Sequence, residues 1–381
     1  MIYVPEAVAC AGLLIFFTTY ATMEFNRTNI EKMRELASSS PLSITVVAHY
    51  NPDGDAIGSA LAMMEWFSSK GHNVTGVVPN RFPAFLNWMP GVDRIGIFKD
   101  DREGRLAGEI ASADVIVCVD FNMISRLEDL SAAIAANKTA RLVLIDHHLD
   151  PDSRFDISFS CTDSSSTAFI IYKLIEAIDG SEAITKDMAE NLYVGIMTDT
   201  GNFSFSNLTP ELFEAVADII RKGVNLPEVY AKVYNSYTTD RLRLLGHAIR
   251  KLETMELGDF NVAYMTLNEA ELRRFNFQPG DTEGFVNFPL TVGDVCMSAM
   301  FIQTRNFVRV SLRSRGNVDV SEFARRYFEG GGHKNAAGGK FHKRIPATVA
   351  HYRRSVIEFF GIKEPCSCGC HLDEGRECTA E

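Results

Sequence analysis

The chain has 381 residues, of which 46% are hydrophobic and 23% charged, with a formal net charge of −11 at pH 7. These values are typical of a soluble globular protein with two or three domains. The negative charge argues against sequence-blind binding of long nucleic acid, which depends on many contacts with phosphates. Cys10, Cys118, Cys161 and Cys296 are scattered in apolar surroundings. They predict reduced core residues and a cytoplasmic protein, not a secreted disulfide framework.

The N-terminal residues 7–17 are apolar. The run is shorter than the roughly 20 residues that span a bilayer. No Lys or Arg precedes it, as a signal peptide would require. We expect no membrane span. Three interpretations remain open: a start codon assigned upstream of the true start at Met23, a weak membrane anchor, or an additional packed helix. We favour the first.

The first half of the chain alternates between strand and helix patterns. Residues 43–48, 74–79, 115–120 and 142–146 predict strands, and residues 56–70, 164–178 and 186–197 predict helices. This alternation predicts an α/β fold with a doubly wound parallel sheet.

The pattern changes after residue 258. Residues 207–237 predict an amphipathic helical stretch with a break at 223–227, and residues 240–255 predict a connecting helix. Strands at 261–266, 295–303 and 307–313 and a helix at 321–327 then predict a smaller mixed α/β domain. We therefore expect an extra N-terminal segment (1–22), a metal-binding domain (23–237), a connecting helix (238–257), a second, substrate-binding domain (258–362) and a cysteine-rich tail (363–381).

Acidic and histidine residues lie where the predicted strands and helices end: His49, Asp53 and Asp55, then Asp120, then Asp146, His147 and His148, and finally Asp199. Carboxylates gathered at one place repel each other unless a cation is present. Carboxylates and imidazoles suit a divalent ion such as Mn, Mg or Zn. Because these ligands exceed what one ion needs, the pattern predicts a hydrolytic centre with two metal ions.

Each of these residues also fits a commoner role when it is taken alone. Asp53 and Asp55 surround Pro52 and Gly54 as turn residues often do. Asp120 and Asp199 fit helix or turn caps, His147 fits a buried imidazole with a hydrogen-bond partner, and Asn51 fits a turn residue. The occurrence of all of them in order favours the metal site.

The later part of the chain is basic. Between residues 300 and 360 there are 12 Lys or Arg and 4 Asp or Glu. This surplus fits a solvated surface, or a basic wall that holds a phosphorylated substrate. Arg309 and Arg313 can bind phosphate through paired hydrogen bonds. The run Gly331-Gly332-His333 permits close backbone approach to a ligand, although such runs are often flexible loops.

Five segments carry a resemblance to a known family. HYNPDGDAIGS, VCVDFN, IDHH and GIMTDTGNF resemble the motifs of the DHH phosphoesterases, and GGGHKNAAGG resembles the signature of the DHH-associated substrate domain. The resemblance covers roughly residues 23–362. Within the family, the length is similar to that of the group that degrades very short RNA (nanoRNA) and dephosphorylates 3′-phosphoadenosine-5′-phosphate.

The resemblance implies roles for particular residues. One metal ion is assigned to His49, Asp53 and Asp120, and the second to Asp55, Asp120, His147 and Asp199, with Mn²⁺ as the expected metal. Asp120 then bridges the two ions. Because neighbouring side chains on an extended chain point in opposite directions, His148 is assigned to the substrate phosphate or to proton donation toward the leaving oxygen. Asp146 and Asn51 support the ligands, and Arg309, Arg313, Gly331, Gly332 and His333 bind the substrate.

The expected enzyme is a cytoplasmic, manganese-dependent phosphoesterase that removes mononucleotides from short single-stranded RNA or DNA, with nucleoside bisphosphates as further substrates. We expect no long duplex among its ligands, a cleft between the two domains, and a homodimer as the candidate assembly. A phosphodiesterase of linear or cyclic signalling dinucleotides is the alternative, and a non-catalytic nucleotide-binding regulator is a second one. The tail segment CSCGCH fits either adventitious or specific metal binding, because its spacing departs from CxxC.

Overall fold

The structure is a computed structural model that describes residues 6–10, 13–17, 23–204, 207–258 and 261–362. The chain forms two compact units, Met1–Thr238 with Gln278–Asp281, and Thr239–Phe277 with Thr282–Glu381. None of the helices in the described ranges is both long and apolar enough to cross a bilayer. The cysteine-rich tail lies outside the described residues.

Two short strands lie near the N-terminus. Glu6–Cys10 (β1) and Leu13–Phe17 (β2) pair antiparallel. The helix that was one alternative for residues 7–17 is therefore wrong. The sequence Leu-Leu-Ile-Phe-Phe of β2 is rich in the β-branched and aromatic residues that favour strands.

The first unit contains a six-stranded sheet of order β5-β4-β3-β6-β7-β8 in which all neighbours are parallel. Its strands are Ser43–Ala48 (β3), Asn73–Val78 (β4), Ile95–Ile97 (β5), Val115–Val119 (β6), Arg141–Asp146 (β7) and Ile157–Ser160 (β8). The chain winds outward in both directions from β3 and β6. This confirms the doubly wound sheet. The carboxyl ends of β3 and β6 flank the switch point where ligands bind in such sheets.

Helices cover both faces of this sheet. The helices of this unit are Arg27–Ala37 (α1), Gly54–Ser69 (α2), Arg105–Ala111 (α3), Leu130–Ala136 (α4), Thr167–Asp179 (α5), Lys186–Asp199 (α6), Pro210–Arg221 (α7) and Leu226–Tyr234 (α8), of which α7 packs against α5 and α6, and α8 against α6. One hydrophobic core lies between the sheet and α1, α2, α5 and α6, and a second lies between the sheet and α3 and α4. Because both faces are covered, β6 is buried along its whole length, which explains its continuous apolar sequence.

The second unit has its own six-stranded mixed sheet of order β13-β14-β12-β11-β10-β9. The strands are Glu253–Glu256 (β9), Asn261–Leu267 (β10), Val295–Gln303 (β11), Val308–Ser314 (β12), Glu329–His333 (β13) and Ala336–Phe341 (β14), and the helices are Thr239–Arg250 (α9), Glu269–Arg274 (α10), Val320–Tyr327 (α11) and Ile345–Phe359 (α12). Only the β10–β11 pair is parallel among these described neighbours. The mixed α/β second domain is confirmed.

One sequence-based assignment in the second unit is wrong. The predicted connecting helix at 240–255 ends at Arg250, and Glu253–Glu256 pairs with β10 as an edge strand inside the second unit. The glycine run lies in a β-hairpin. A Cβ on Gly330 would lie 2.0 Å from the carbonyl oxygen of Gly338, so the two strands approach more closely than a side chain allows.

Candidate metal and phosphoesterase site

The acidic and histidine residues lie at one edge of the parallel sheet. His49 follows β3, Asp120 follows β6, and Asp146 is the last residue of β7. These three strands are neighbours in the order β3-β6-β7. Since parallel strands end at the same edge, their terminal side chains converge at the switch point of the sheet.

His49 faces two of the predicted carboxylates. Its Nε2 atom lies 3.3 Å from Oδ2 of Asp120 and 4.0 Å from Oδ1 of Asp53. Its Nδ1 atom lies 2.9 Å from the carbonyl oxygen of Tyr50. That carbonyl can only accept a hydrogen bond, so Nδ1 carries a proton and Nε2 is the nitrogen that faces the carboxylates, as in a metal ligand. His49, Asp53 and Asp120 form a set of mutually close ligand atoms.

A second set of close ligand atoms consists of Asp55, Asp120 and His147. Nε2 of His147 lies 3.6 Å from Oδ1 of Asp120 and 3.3 Å from Oδ2 of Asp199, at the end of α6. Nδ1 of His147 faces the carbonyl oxygen of Ser164 at 3.3 Å, which again directs Nε2 toward the carboxylates. Asp120 belongs to both sets, as a bridging ligand would.

Asp55 is held by the N-terminus of α5. Its carboxylate accepts hydrogen bonds from the backbone N–H groups of Thr167 at 2.7 Å and Ala168 at 2.8 Å. A Cβ on Gly195 of α6 would lie 2.6 Å from Oδ1 of Asp55, so glycine is required there for the helices to pack. The helix dipole of α5 favours the negative charge that a metal ligand must carry.

The carboxylates repel one another in the absence of a cation. Burial raises the pKa of Asp55 well above its ordinary value, and the charges of Asp120 and Asp199 raise it further. Burial also acts to raise the pKa of Asp120, but the hydrogen bond and positive charge of His49 outweigh this and lower it. A divalent cation would relieve the repulsion that Asp55 experiences.

Exposure indicates where the site opens. The side chains of Asp53 and Asp199 are 43% and 29% exposed, whereas those of Asp120 and His147 are 3% and 5% exposed. Water and a phosphate can therefore reach the site past Asp53 and Asp199. Asp120 is buried, so an ion bound to it would be shielded from solvent.

His148 does not point where His147 points. Its Nδ1 lies 2.7 Å from Oδ1 of Asp146, whose other oxygen accepts the backbone N–H of His148 at 3.1 Å. The two imidazole rings are nearly perpendicular, with an interplanar angle of 79°. Burial lowers the pKa of His148, and the charge of Asp146 opposes this effect without reversing it. Asp146 thus fixes the orientation of the His148 ring.

The backbone at two of these positions is unusual. Asp120 has φ +65 and Asn51 has φ +56, in the left-handed region that non-glycine residues seldom adopt. Asn51 is held there by Asn80, whose Oδ1 accepts the Asn51 N–H at 2.7 Å and whose Nδ2 donates to Asn51 Oδ1 at 3.0 Å. Such conformations cost free energy and concentrate at functional sites.

Three residues of the site were missed by the sequence analysis. The Thr167 hydroxyl donates to Oδ1 of Asp120 at 3.0 Å, the Ser164 carbonyl orients His147, and Asn80 holds Asn51. The sequence Ser-Ser-Ser-Thr at the start of α5 is a helix-start signal, and it could have pointed to Ser164 and Thr167. No local pattern connects Asn80 with a residue 29 positions away.

The predicted substrate residues lie in the second unit. Arg309 and Arg313 are both on β12, on the face opposite its buried residues. One Arg309 nitrogen donates to Thr282 Oγ1 at 2.8 Å. Across the β12–β14 ladder, Arg309 is opposite Lys340 and Arg313 is opposite Ala336. Gly331, Gly332 and His333 lie on β13, the next strand but one from β12. This face is basic and carries small residues.

Comparison with known proteins identifies the family. Residues 43–196 match the DHH family, N-terminal domain, and residues 259–360 match the DHHA1 domain. The crystal structure of an exopolyphosphatase-related protein from Bacteroides fragilis is 34% identical, with a TM-score of 0.83 over 90% of this chain and 99% of that chain. This chain belongs to the DHH family. As a DHH phosphoesterase, it is a hydrolase of phosphoester bonds.

Two curated DHH relatives have a more specific name. The probable bifunctional oligoribonuclease and PAP phosphatase NrnA of Streptococcus mutans is 28% identical over 78% of this chain and 88% of its own length. The bifunctional oligoribonuclease and PAP phosphatase NrnA of Bacillus subtilis is 26% identical over 81% of this chain and 93% of its own length. The resemblance inferred from the sequence motifs is confirmed.

The two histidine ligand candidates make metal binding sensitive to pH. Burial lowers the pKa of His49 and of His147, but for His49 the hydrogen bond to Asp120, and for His147 the charges of Asp199 and Asp120, raise it above 6.5 overall. Metal binding requires neutral imidazoles. We expect Mn²⁺ affinity to fall as pH decreases through the raised pKa values, by up to about tenfold per pH unit for each histidine.

Isothermal titration of the metal-free protein with MnCl₂ between pH 6 and 8.5 measures this slope. The variant His49→Asn should show a shallower slope, whereas His342→Gln, which removes an exposed imidazole beside Glu329, should not change it. An affinity that does not vary with pH in this range would exclude histidine ligands.

Proposed function

We propose that this DHH phosphoesterase hydrolyses short oligonucleotides to mononucleotides with two divalent ions, Mn²⁺ above others, and that it also removes the 3′-phosphate of 3′-phosphoadenosine-5′-phosphate. The observation that carries the proposal is the position of Asp120 in two sets of close ligand atoms. The names of the NrnA relatives support the substrate class. The scattered cysteines, of which Cys118, Cys161 and Cys296 are free, agree with action in the cytoplasm.

The ligands divide into two groups that share Asp120. We assign the first ion to His49, Asp53 and Asp120, and the second to Asp55, Asp120, His147 and Asp199. When bound, two such ions supply a hydroxide near neutral pH and neutralise charge on the phosphoryl oxygens. The donor set of carboxylates and imidazoles fits Mn²⁺, which accepts both.

Residues of the chain position the metal ligands and donate a proton. The two N–H groups of α5 hold the Asp55 carboxyl group in place for ligation and favour its ionised form, against the burial that raises its pKa. Asp146 orients His148, which we assign to proton donation toward the leaving oxygen. Thr167 fixes one oxygen of Asp120 through its hydroxyl, so the other oxygen keeps a defined direction toward His49.

Residues of the second unit select the substrate. We assign Arg313, Arg309, His333 and the Gly331-Gly332 backbone to the terminal nucleotide or a phosphate distant from the bond that is cleaved. The β12 face on which both arginines lie supports this assignment, because guanidinium groups bind phosphate oxygens with paired hydrogen bonds. Generic phosphate esters would not need these contacts.

Substrate length tests the proposed function. With Mn²⁺, 5′-phosphorylated RNAs of two to five nucleotides should be cleaved much faster than 20-mers, because the proposed recognition is of the terminal nucleotide of a short substrate. The rates of mononucleotide release across the series measure this. Equal rates at every length would indicate a processive exonuclease. Cleavage confined to cyclic dinucleotides would favour the signalling alternative.

The non-catalytic alternative has little support. Family membership and the convergence of the acidic and histidine residues at one sheet edge both argue for catalysis. The first alternative, a phosphodiesterase of linear or cyclic signalling dinucleotides, shares the proposed metal site and differs from the proposal in the substrate that the second unit binds. Cleavage rates across the series of RNA lengths distinguish this alternative from the proposed function.

The second unit should affect binding and not chemistry. Arg313→Ala should raise KM for a dinucleotide by about ten- to a hundredfold, because it removes a charge-assisted contact of about 1.5–3 kcal/mol. Steady-state kinetics with the dinucleotide pApA and with bis(p-nitrophenyl) phosphate measure the split. His333→Ala should behave in the same way, and the small ester and Mn²⁺ binding should be unaffected. Loss of both substrates alike would contradict the assignment.

A further inference from the structure

A basic residue that no sequence motif singled out lies beside the candidate metal site. Arg126 belongs to a short 3-10 helix, Ile124–Leu127, that follows β6 and Asp120. Its carbonyl oxygen accepts the backbone N–H of Tyr50 at 3.2 Å. Tyr50 follows His49 directly, so the backbone of Arg126 is joined to the loop that carries the first ligands.

No contact with the described residues gives the Arg126 side chain a structural role. It is half-buried, yet its guanidinium forms no hydrogen bond or ion pair with the described residues. Other arginines of the first unit do have such acidic partners, for example Arg81 with Asp100 and Arg105 with Glu109. A partly buried guanidinium without an acid partner retains its full capacity to bind an anion.

The charge of Arg126 acts on the site itself. It acts to lower the pKa of His49, against the Asp120 and Asp53 contacts that raise it overall, and it also acts to lower the pKa of His148, although burial is the larger influence on both. The guanidinium therefore lies within electrostatic reach of one predicted metal ligand and of the predicted proton donor. A positive charge at this place would weaken cation binding. A role in attracting the metal therefore does not explain why an arginine lies here.

We propose that Arg126 binds a non-bridging oxygen of the scissile phosphate in the first unit. The inference rests on the proposed phosphoesterase site but not on nucleotide recognition. An arginine can donate two parallel hydrogen bonds to a phosphate and neutralises charge as the phosphoryl oxygens become more negative. It would hold the phosphate that reacts, whereas Arg313 and Arg309 would hold a phosphate or nucleotide that does not.

Because the two sites would bind different phosphates, variants of Arg126 and of Arg313 should differ in their kinetics. Arg126→Gln should lower kcat/KM by about ten- to a hundredfold for both pApA and bis(p-nitrophenyl) phosphate, because every substrate presents a scissile phosphate. Arg313→Ala should lower it for pApA alone. Inorganic phosphate should become a correspondingly weaker competitive inhibitor of Arg126→Gln.

Two further variants separate binding from structure and from net charge. Arg126→Lys keeps the charge but loses the paired geometry, so it should recover part of the lost rate. Arg141→Gln makes the same change of charge at the exposed opposite end of β7, and it should hydrolyse both substrates like the wild type. Mn²⁺ affinity, measured by isothermal titration, should not decrease in Arg126→Gln.

The outcomes are distinct. A rate within twofold of wild type on bis(p-nitrophenyl) phosphate in Arg126→Gln would overturn the proposal, and so would a tenfold loss of Mn²⁺ affinity, which would make Arg126 a support of the metal loop. Should Arg126→Gln fail to fold, full activity of Arg126→Lys with unchanged phosphate inhibition would overturn it equally. Failure of the wild type to cleave pApA, with the small ester still cleaved, would instead contradict the proposed nucleotide substrate.

Discussion

Replacing Asp120 by Asn should reduce hydrolysis of every substrate by about a thousandfold or more. Asp120 belongs to both sets of close ligand atoms, so its loss would disturb both of the proposed ions at once. Losing about 4 kcal/mol of transition-state stabilisation corresponds to a factor of about a thousand. Asn is preferable to Ala because Asp120 has φ +65, a conformation that Asn tolerates. Steady-state rates together with bound Mn²⁺, measured by mass spectrometry of the metal, test this.

The matched control is Asp114→Asn. Asp114 lies just before the opposite end of β6, where its carboxylate accepts the backbone N–H of Ser43 at 2.8 Å. It carries the same charge and has a structural hydrogen bond, but it is remote from the ligands. We expect near-normal turnover and metal content. A near-normal rate and metal content in Asp120→Asn would exclude a bridging role for Asp120.

Replacing His148 by Ala should reduce hydrolysis of pApA by about 10²- to 10⁴-fold, the range typical of a general acid. The loss should be much smaller with bis(p-nitrophenyl) phosphate. The nucleoside oxygen must be protonated as it leaves, whereas p-nitrophenolate leaves without a proton. The ratio of the two rates, for variant and wild type, therefore measures proton donation separately from phosphate binding.

Asp146 provides the companion test. Asp146→Asn retains the size of the side chain but weakens its contact with Nδ1 of His148, which lies 2.7 Å from Oδ1 of Asp146 in the wild type. The alkaline limb of the pH–rate profile for pApA, where the proton donor loses its proton, should shift to lower pH because the Asp146 charge that raises the pKa of His148 is gone, and the small ester should be little affected. Equal losses on both substrates in His148→Ala would instead assign His148 to the phosphate, the other role that the sequence left open.

The first unit was predictable because its signals are local. The central strands are rich in apolar residues, and β6 is a continuous apolar run, and each is followed by or ends at an ionisable residue, as with Val119 and Asp120. Parallel strands place such ends together, so the convergence of His49, Asp120 and Asp146 at one edge follows once the sheet is recognised. The family motifs give the same set of residues.

The second unit was less predictable because its elements depend on partners. Glu253–Glu256 is a strand only because β10 offers an edge to pair with. Glycines between 330 and 339 have low intrinsic strand propensity, and it is the close approach of β13 and β14 that makes them necessary. Contacts between distant positions, such as Thr167 with Asp120 and Asn80 with Asn51, leave no periodic pattern in the sequence.

The central claim is that the bond cleaved joins nucleotides, and a competition between two substrates tests it most directly. The purified protein with Mn²⁺ is given pApA and inorganic polyphosphate at equal phosphate concentration, and the products are separated by anion-exchange chromatography. This comparison matters because the Bacteroides fragilis structure is described as exopolyphosphatase-related. We predict that pApA is converted to AMP while polyphosphate persists. Release of inorganic phosphate from polyphosphate with pApA left intact would contradict the account.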